Sequence, residues 1–255
     1  MAGWGSANKY AVLGGLRAAG QLLSYEIPFI MAILSIAMIS QSLDLQKIVN
    51  DQSGIANILK LPLGFFIFFL AGLAELGRTP FDIHHAESEV VGGPFVEYSG
   101  IHWSVFFLAE YINTFSIAVL TTLLFLGGWR WPDMPFDGIA HSSLSLLLFF
   151  VKSYAVILLI FWFRGTYPRL RIDQLMVFGW KILVPLSFLN ILITGCVLFY
   201  EFHWTVLSFI SCTILISTAF LIKRVAGFKT KKMTITIHSA RDLRKSVPAK
   251  TVMDK

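Results

Sequence analysis

The chain has 255 residues, of which 56% are hydrophobic and only 14% charged, and its mean hydropathy is +0.70. Soluble domains carry about 25% charged residues, so this composition excludes a soluble globular enzyme and predicts a protein that packs against lipid. The two cysteines, Cys196 and Cys212, stand in apolar stretches without metal-binding spacing, which excludes a disulfide framework and an iron–sulfur site built by this chain.

Six apolar stretches approach the length of about 20 residues that a helix needs to cross a bilayer. In chain order they are Ala18–Leu43, Leu61–Gly77, Glu110–Gly128, Gly138–Phe163, Ile182–Tyr200 and Phe202–Ile222. The sequence therefore predicts an all-α polytopic membrane protein with six transmembrane helices, the second of them the shortest. The polar, glycine-rich first ten residues predict no cleavable signal peptide.

Most of the 21 Lys and Arg residues fall on one side of this predicted topology. That side holds Lys9, Arg17, Arg78, Arg164, Arg169, Arg171, Lys181 and every basic residue after Ile222. The positive-inside rule then places both chain ends and the long 79–102 loop in the cytoplasm or matrix. The net charge of +6 indicates contact with anionic lipid, and not with nucleic acid. Residues 225–255 are predicted as a basic cytoplasmic tail, in which Met233–His238 alternates like a short strand.

Four ionisable residues interrupt the predicted spans, namely Glu26, Glu75, Glu110 and Lys152. Glu75 and Glu110 lie near span ends, where snorkelling to water is an alternative to function. Glu26 and Lys152 lie deep, where the alternatives are a buried structural ion pair and a proton relay. Burial raises the pKa of a carboxylic acid and lowers the pKa of a lysine, so proton transfer near neutral pH is the favoured interpretation.

The 79–102 loop gathers acidic residues on the side that is otherwise positively charged. Asp82, Glu87, Glu89 and Glu97 lie in it, and Arg78 immediately precedes it as a counter-charge. Long loops tend to carry function. A metal site made by Asp82, His84, His85 and Glu87 is an alternative, but adjacent histidines cannot easily share one coordination sphere.

Several motifs in order resemble one known family. They are Ala74–Asp82 (AELGRTPFD), Ala86–Glu89 (AESE) and Val96–Gly100 (VEYSG), with Gly3–Tyr10, Leu16–Glu26, Pro168–Gln174 and Phe178–Lys181 around them. Together they resemble the quinone-module membrane subunit of respiratory complex I, which is the H subunit of NADH-quinone oxidoreductase in bacteria and NADH dehydrogenase subunit 1 in mitochondria. The resemblance covers roughly residues 1–200 and corresponds to the family's helices 4–8.

This resemblance implies a role in a proton-pumping oxidoreductase that transfers electrons from NADH, or a related donor, to quinone. The 79–102 loop would line the quinone cavity, with Arg17, Arg78, Phe81, Asp82, Glu87 and Glu89 on the quinone path. A proton path would run through Glu26, Glu75, Glu97 and Glu110. Lys152 is added to this path because it lies deep in a predicted span. Quinone is then the substrate, and this chain alone is not catalytic and binds no cofactor or metal.

The resemblance also implies partners and a location. FMN and iron–sulfur clusters would reside in partner subunits, which include soluble iron–sulfur subunits, small membrane subunits and antiporter-like subunits. The expected location is an energy-transducing membrane, either a bacterial inner membrane or the mitochondrial inner membrane, with direct lipid contact.

Three features depart from the family pattern. About three N-terminal helices are missing, which predicts a fragment, a split-gene product or a separate chain that supplies them. His84-His85 stand where the family often has Pro-Glu, which puts a group that titrates near neutral pH in the loop. Residues 201–224 predict an additional transmembrane helix.

Two other functions remain open from the sequence. One is the equivalent subunit of a membrane-bound hydrogenase or ferredoxin-driven complex, which shares the loop without reducing quinone. The other is an ion-coupled transporter, for which the intramembrane Glu26 and Lys152 are the evidence.

Overall fold

The computed structural model describes residues 1–83, 91, 93–130 and 139–220, without the side chains of 139–141. The chain divides into two compact units, Met1–Ser211 and Cys212–Lys255, and residues 212–220 of the second are described and helical. Within these ranges all regular secondary structure is helical and no strand occurs, which confirms the all-α prediction. The possible strand Met233–His238 lies outside the described residues.

In chain order, the described part of the chain forms a succession of helices. They are α1 (Ala2–Gly5), α2 (Lys9–Ser40), α3 (Leu45–Asp51), α4 (Asn57–Lys60), α5 (Pro62–Glu75), α6 (Ile101–Phe125), α7 (Ile139–Thr166), α8 (Ile172–Phe178), α9 (Val184–Phe199) and α10 (Trp204–Phe220). A 3₁₀ turn occupies Gly93–Phe95, and a π-helical turn over Gly179–Leu183 joins α8 to α9 without a break.

Four of the described helical stretches are long and apolar enough to cross a membrane. They are Lys9–Ser40, Ile101–Phe125, Ser142–Thr166 and the continuous Ile172–Phe199. The helices Pro62–Glu75 and Trp204–Phe220 are apolar but shorter. The structure thus gives four candidate spans where the sequence predicts six.

Two helices begin earlier than the predicted spans, because a helix can extend beyond the apolar stretch that marks its span. The first long helix starts at Lys9, since the Asn8 Oδ1 accepts a hydrogen bond of 3.1 Å from the Tyr10 backbone N–H. The third predicted span starts as a helix at Ile101. Glu110 therefore lies well inside α6, and not at its beginning.

The core of the first unit forms where α2 packs along α5 and α9. Phe68 of α5 is fully buried and stacks on Phe29 of α2 with 4.5 Å between ring centroids. The Phe68 ring also contacts Phe125 of α6, with 5.4 Å between ring centroids. These aromatic contacts fix α5 between two longer helices, so the short helix gains its stability from tertiary packing and not from its length.

Candidate functional site

A cavity of about 890 Å³ lies beside the C-terminal end of α5. Part of its lining carries charged side chains and part is aromatic, a combination typical of sites that bind a small molecule. The residues that line it are Gly77, Arg78, Thr79, Asp82, Phe95, Val96, Tyr98, Trp103, Phe106, Phe107, Glu110, Arg164 and Arg169.

Arg78 is the central cation of this cavity. Its side chain is only 7% exposed, and its Nε lies 3.3 Å from Oε1 of Glu110 on α6. The guanidinium carbon also lies 4.9 Å from the centre of the Tyr111 ring, within range of a cation–π interaction. The Nε–H is not aligned for a hydrogen bond, and Nη2 has no hydrogen-bond partner among the described residues. Buried N–H groups of this kind can bind a ligand oxygen.

A second ion pair belongs to the same charged lining. Asp82 Oδ1 is 3.8 Å from Arg169 Nη2, a separation that gives electrostatic attraction without a hydrogen bond. A backbone hydrogen bond of 3.1 Å from Leu170 N–H to the Pro80 carbonyl brings the two loops together. Arg164, in the last turn of α7, adds a third arginine to the lining.

The aromatic wall of the cavity comes from the 93–98 segment and the first turns of α6. The Phe106 ring contacts Phe95 at 4.8 Å and Tyr98 at 5.1 Å between centroids. On the same helix, Trp103 stacks on Phe107 with 5.0 Å between ring centroids. Side chains three and four residues apart share one face of a helix, so these rings form a continuous surface.

The turn after α5 places Arg78 in the cavity. Gly77 has φ of 60°, a conformation that glycine adopts without a steric penalty, and its N–H donates to the Ala74 carbonyl at 3.1 Å. The buried amide of Gln21 then holds both sides of this turn, since Nε2 donates to the Ala74 carbonyl at 2.6 Å and the Phe81 carbonyl at 2.9 Å. Gln21 therefore ties α2 to the start of the loop.

The predicted quinone residues separate into three groups. Arg78 and Asp82 line the cavity. Phe81 is 3% exposed and packs between Tyr25 and Phe178, and Arg17 is half-buried on α2, so neither belongs to the lining. Glu87 and Glu89, together with His84 and His85, lie outside the described residues.

The predicted proton-path acids occupy different surroundings. Glu110 lies in the cavity, whereas Glu26 and Glu75 are close enough to repel each other electrostatically. Glu75 Oε2 is buried without a hydrogen-bond partner among the described residues. The sequence predicts a buried Glu26, but its side chain is exposed, because the face of α2 that carries it is not covered by the described part of the chain. Glu97 is also exposed.

Lys152 has an environment that the sequence does not predict. Its ammonium donates to the carbonyls of Leu126, Gly128 and Arg130 at 2.8, 3.2 and 2.7 Å, respectively. These carbonyls follow the C-terminal end of α6, where carbonyl groups lack helical partners and a positive charge is favourable. We infer from these contacts that Lys152 fixes the segment after α6, which is an alternative to its predicted place in the proton path.

We predict that Lys152→Met lowers stability and leaves proton coupling unchanged. Removing an ammonium that serves three carbonyls is expected to cost roughly 2–4 kcal/mol, since hydrogen bonds to charged groups are the stronger ones. The measurement is the thermal unfolding midpoint of the assembled complex in detergent, with Lys152→Arg as the charge-retaining control. A stable Lys152→Met variant that loses proton pumping would instead return Lys152 to the proton path.

Some residues of the site escape sequence reasoning. From the sequence, Arg164 and Arg169 serve only to assign the topology, although a basic pair beside an acidic loop also indicates ion pairing. Gln21 gives a signal of its own, because an amide inside an apolar stretch needs hydrogen-bond partners. The rings of Trp103 and Phe106 give none, since aromatic residues are frequent throughout this chain.

The fold and the site together define a helical membrane protein with a charged and aromatic cavity at the end of a short helix. The family model for NADH dehydrogenase matches residues 1–195. The chain is 49% identical to the H subunit of NADH-quinone oxidoreductase from Anoxybacillus flavithermus over 194 residues, which is 76% of this chain and 57% of that protein. The same subunit from Geobacillus thermodenitrificans and from Bacillus cytotoxicus is 49% identical over 195 residues, with the same coverage.

The chain belongs to the family of the NADH-quinone oxidoreductase H subunit. It spans 57% of the length of these relatives, and residues 196–255 lie beyond the match to the family model.

Proposed function

We propose that this chain is a membrane subunit of a proton-pumping NADH:quinone oxidoreductase and forms part of its quinone cavity. The observation that carries the proposal is the cavity at the end of α5, which combines two ion pairs with an aromatic wall. A quinone is a flat ring with polar carbonyl oxygens, so aromatic side chains suit its faces and arginine N–H groups suit its edges.

The charges of the cavity suit the chemistry of quinone reduction. The reduced ring carries negative charge on its oxygens until protons arrive, and Arg78 can bind such an oxygen through its N–H groups. Because Arg78 is also the counter-charge of Glu110 at 3.3 Å, a change of charge on the ligand acts electrostatically on that acid. This gives a physical connection between reduction of the ring and proton uptake by the protein.

We further propose that Glu110, Glu75 and Glu26 form the proton path of this chain. Glu75 is the last residue of α5 and stands three residues before Arg78. Glu26 of α2 is close enough to Glu75 to repel it electrostatically. Ionisable groups in spanning helices usually serve ion or proton movement. In this proposal the two shorter apolar helices, α5 and α10, also cross the membrane, which is an energy-transducing one.

The proposed partners are the other subunits of the oxidoreductase. They comprise soluble subunits with FMN and iron–sulfur clusters, small membrane subunits, antiporter-like subunits, and a chain or segment that supplies the remaining helices. The exposed apolar faces of α2, α6 and α7 are in keeping with contact with such chains and with lipid.

The test is to purify the assembled complex through a tag on this chain and to measure its reactions. We expect co-purification of iron–sulfur and antiporter-like subunits, and NADH-driven reduction of a short-chain quinone with proton uptake into liposomes. Hydrogen evolution without quinone reduction would identify the hydrogenase-type complex instead. Ion transport by the isolated chain in liposomes would identify a transporter.

A further inference from the structure

The aromatic wall of the cavity is held from behind by the N-terminal segment. The hydroxyl of Tyr98, a wall residue, donates to the Ala2 carbonyl at 3.2 Å. Next to it, Asn8 Nδ2 donates to Glu97 Oε1 at 2.7 Å, a short hydrogen bond to a carboxylate. Two neighbouring loop residues are therefore fixed to residues about 90 positions earlier in the chain.

Asn8 uses both ends of its amide. Its Oδ1 caps α2 by accepting the Tyr10 N–H at 3.1 Å, while its Nδ2 donates to Glu97. The cap fixes the side-chain orientation, so the N–H₂ group points at Glu97 in a defined direction. The start of α2 and the loop are thereby coupled through one side chain.

A close backbone contact supports the same segment from α2. A Cβ atom on Gly14 would stand 2.9 Å from the Gly93 Cα and 3.1 Å from Pro94 Cδ. Only glycine at position 14 allows the 3₁₀ turn Gly93–Phe95 to approach the helix so closely. The segment that supplies Phe95 and Tyr98 to the cavity thus rests on α2 at one end and on Asn8 at the other.

We propose that Asn8 and Glu97 are positioning residues of the cavity, an inference that rests on the proposed function. Glu97 acts as a hydrogen-bond acceptor that sets the aromatic wall, and not as a proton carrier. Its exposed carboxylate does not line the cavity, whereas the residues on both sides of it, Val96 and Tyr98, do. The Asn8–Glu97 bond therefore determines how well the ring of the substrate fits.

The test compares variants that keep the hydrogen bond with variants that lose it. Glu97→Gln keeps an acceptor for Asn8 but cannot titrate, whereas Glu97→Ala removes the acceptor. Asn8→Ser keeps the cap of α2 but is too short to reach Glu97. For Glu97→Ala and Asn8→Ser we expect the KM for quinone to rise about three- to tenfold, the range for the net contribution of one typical exposed hydrogen bond, with kcat nearly unchanged. Glu97→Gln is expected to match the wild type, including its pH profile and its protons pumped per electron.

Hydrogen exchange of the 93–100 segment in the same complexes gives a readout that does not need activity. It should rise in Glu97→Ala and Asn8→Ser and stay at the wild-type level in Glu97→Gln. Loss of pumping in Glu97→Gln, or equal exchange in all variants, would overturn the positioning role. A wild-type complex that reduces no quinone would overturn the proposed function alone, because the exchange comparison would still decide whether the bond positions the loop.

Discussion

Arg78→Ala is expected to lower kcat/KM for quinone by roughly 10- to 100-fold in an assembled complex, a loss of about 1.4–2.8 kcal/mol of transition-state stabilisation. Arg78 contributes its N–H groups to the cavity, balances Glu110 at 3.3 Å and contacts the Tyr111 ring at 4.9 Å. Alanine removes all three interactions at once. The measurement is the steady-state rate of NADH oxidation against quinone concentration.

Two variants separate the contributions of Arg78. Arg78→Lys keeps the positive charge but loses the planar group that contacts Tyr111, so we expect an intermediate rate. Glu110→Gln removes the partner charge and keeps Arg78, so its effect on quinone binding should be smaller than that of Arg78→Ala. Reduction of an artificial acceptor at the soluble subunits serves as the assembly control. Unchanged quinone kinetics in an assembled Arg78→Ala complex would remove Arg78 from the site.

The sequence could predict the class of fold and the part of the chain that carries the site. Apolar stretches, charge bias and the motif Ala74–Asp82 are local in the chain, and each has a direct physical meaning for membrane insertion or ion pairing. Arg78 and Asp82 are identified in this way, and both line the cavity.

The sequence could not predict contacts between distant segments. Nothing local to Lys152 indicates that three carbonyls after α6 bind its ammonium, so its position in an apolar stretch favours a proton relay. In the same way, the bond between Asn8 and Glu97 depends on the packing of the loop against the start of α2. Such pairings arise from tertiary structure and leave no pattern in hydropathy.

The sequence also could not distinguish depth in the membrane from burial in the chain. Glu26 lies about 26 Å along α2 from Lys9 at 1.5 Å per residue, so it is central in the helix. Its side chain is nevertheless exposed, on the same face as Leu23 and Ile30. A carboxylate facing hydrocarbon costs at least about 2.5–3.5 kcal/mol, so a charged Glu26 needs water or polar groups beside this face.

Glu26→Gln is expected to abolish most proton pumping while NADH reduction of an artificial acceptor stays at the wild-type rate. Glutamine keeps the size and hydrogen-bonding capacity of the side chain but cannot take up or release a proton. It also removes the electrostatic repulsion between Glu26 and Glu75. The measurement is the number of protons translocated per electron in liposomes.

Glu97→Gln is the matched control for this experiment, because it makes the same chemical change in an acid that we assign to positioning. Glu75→Gln should reproduce the defect of Glu26→Gln, since the two carboxyl groups interact. If Glu26→Gln and Glu97→Gln both pump normally, Glu26 has no place in the path. If both fail, proton pumping depends on Glu97 as well as on Glu26, and the assignment of Glu97 to positioning alone is overturned.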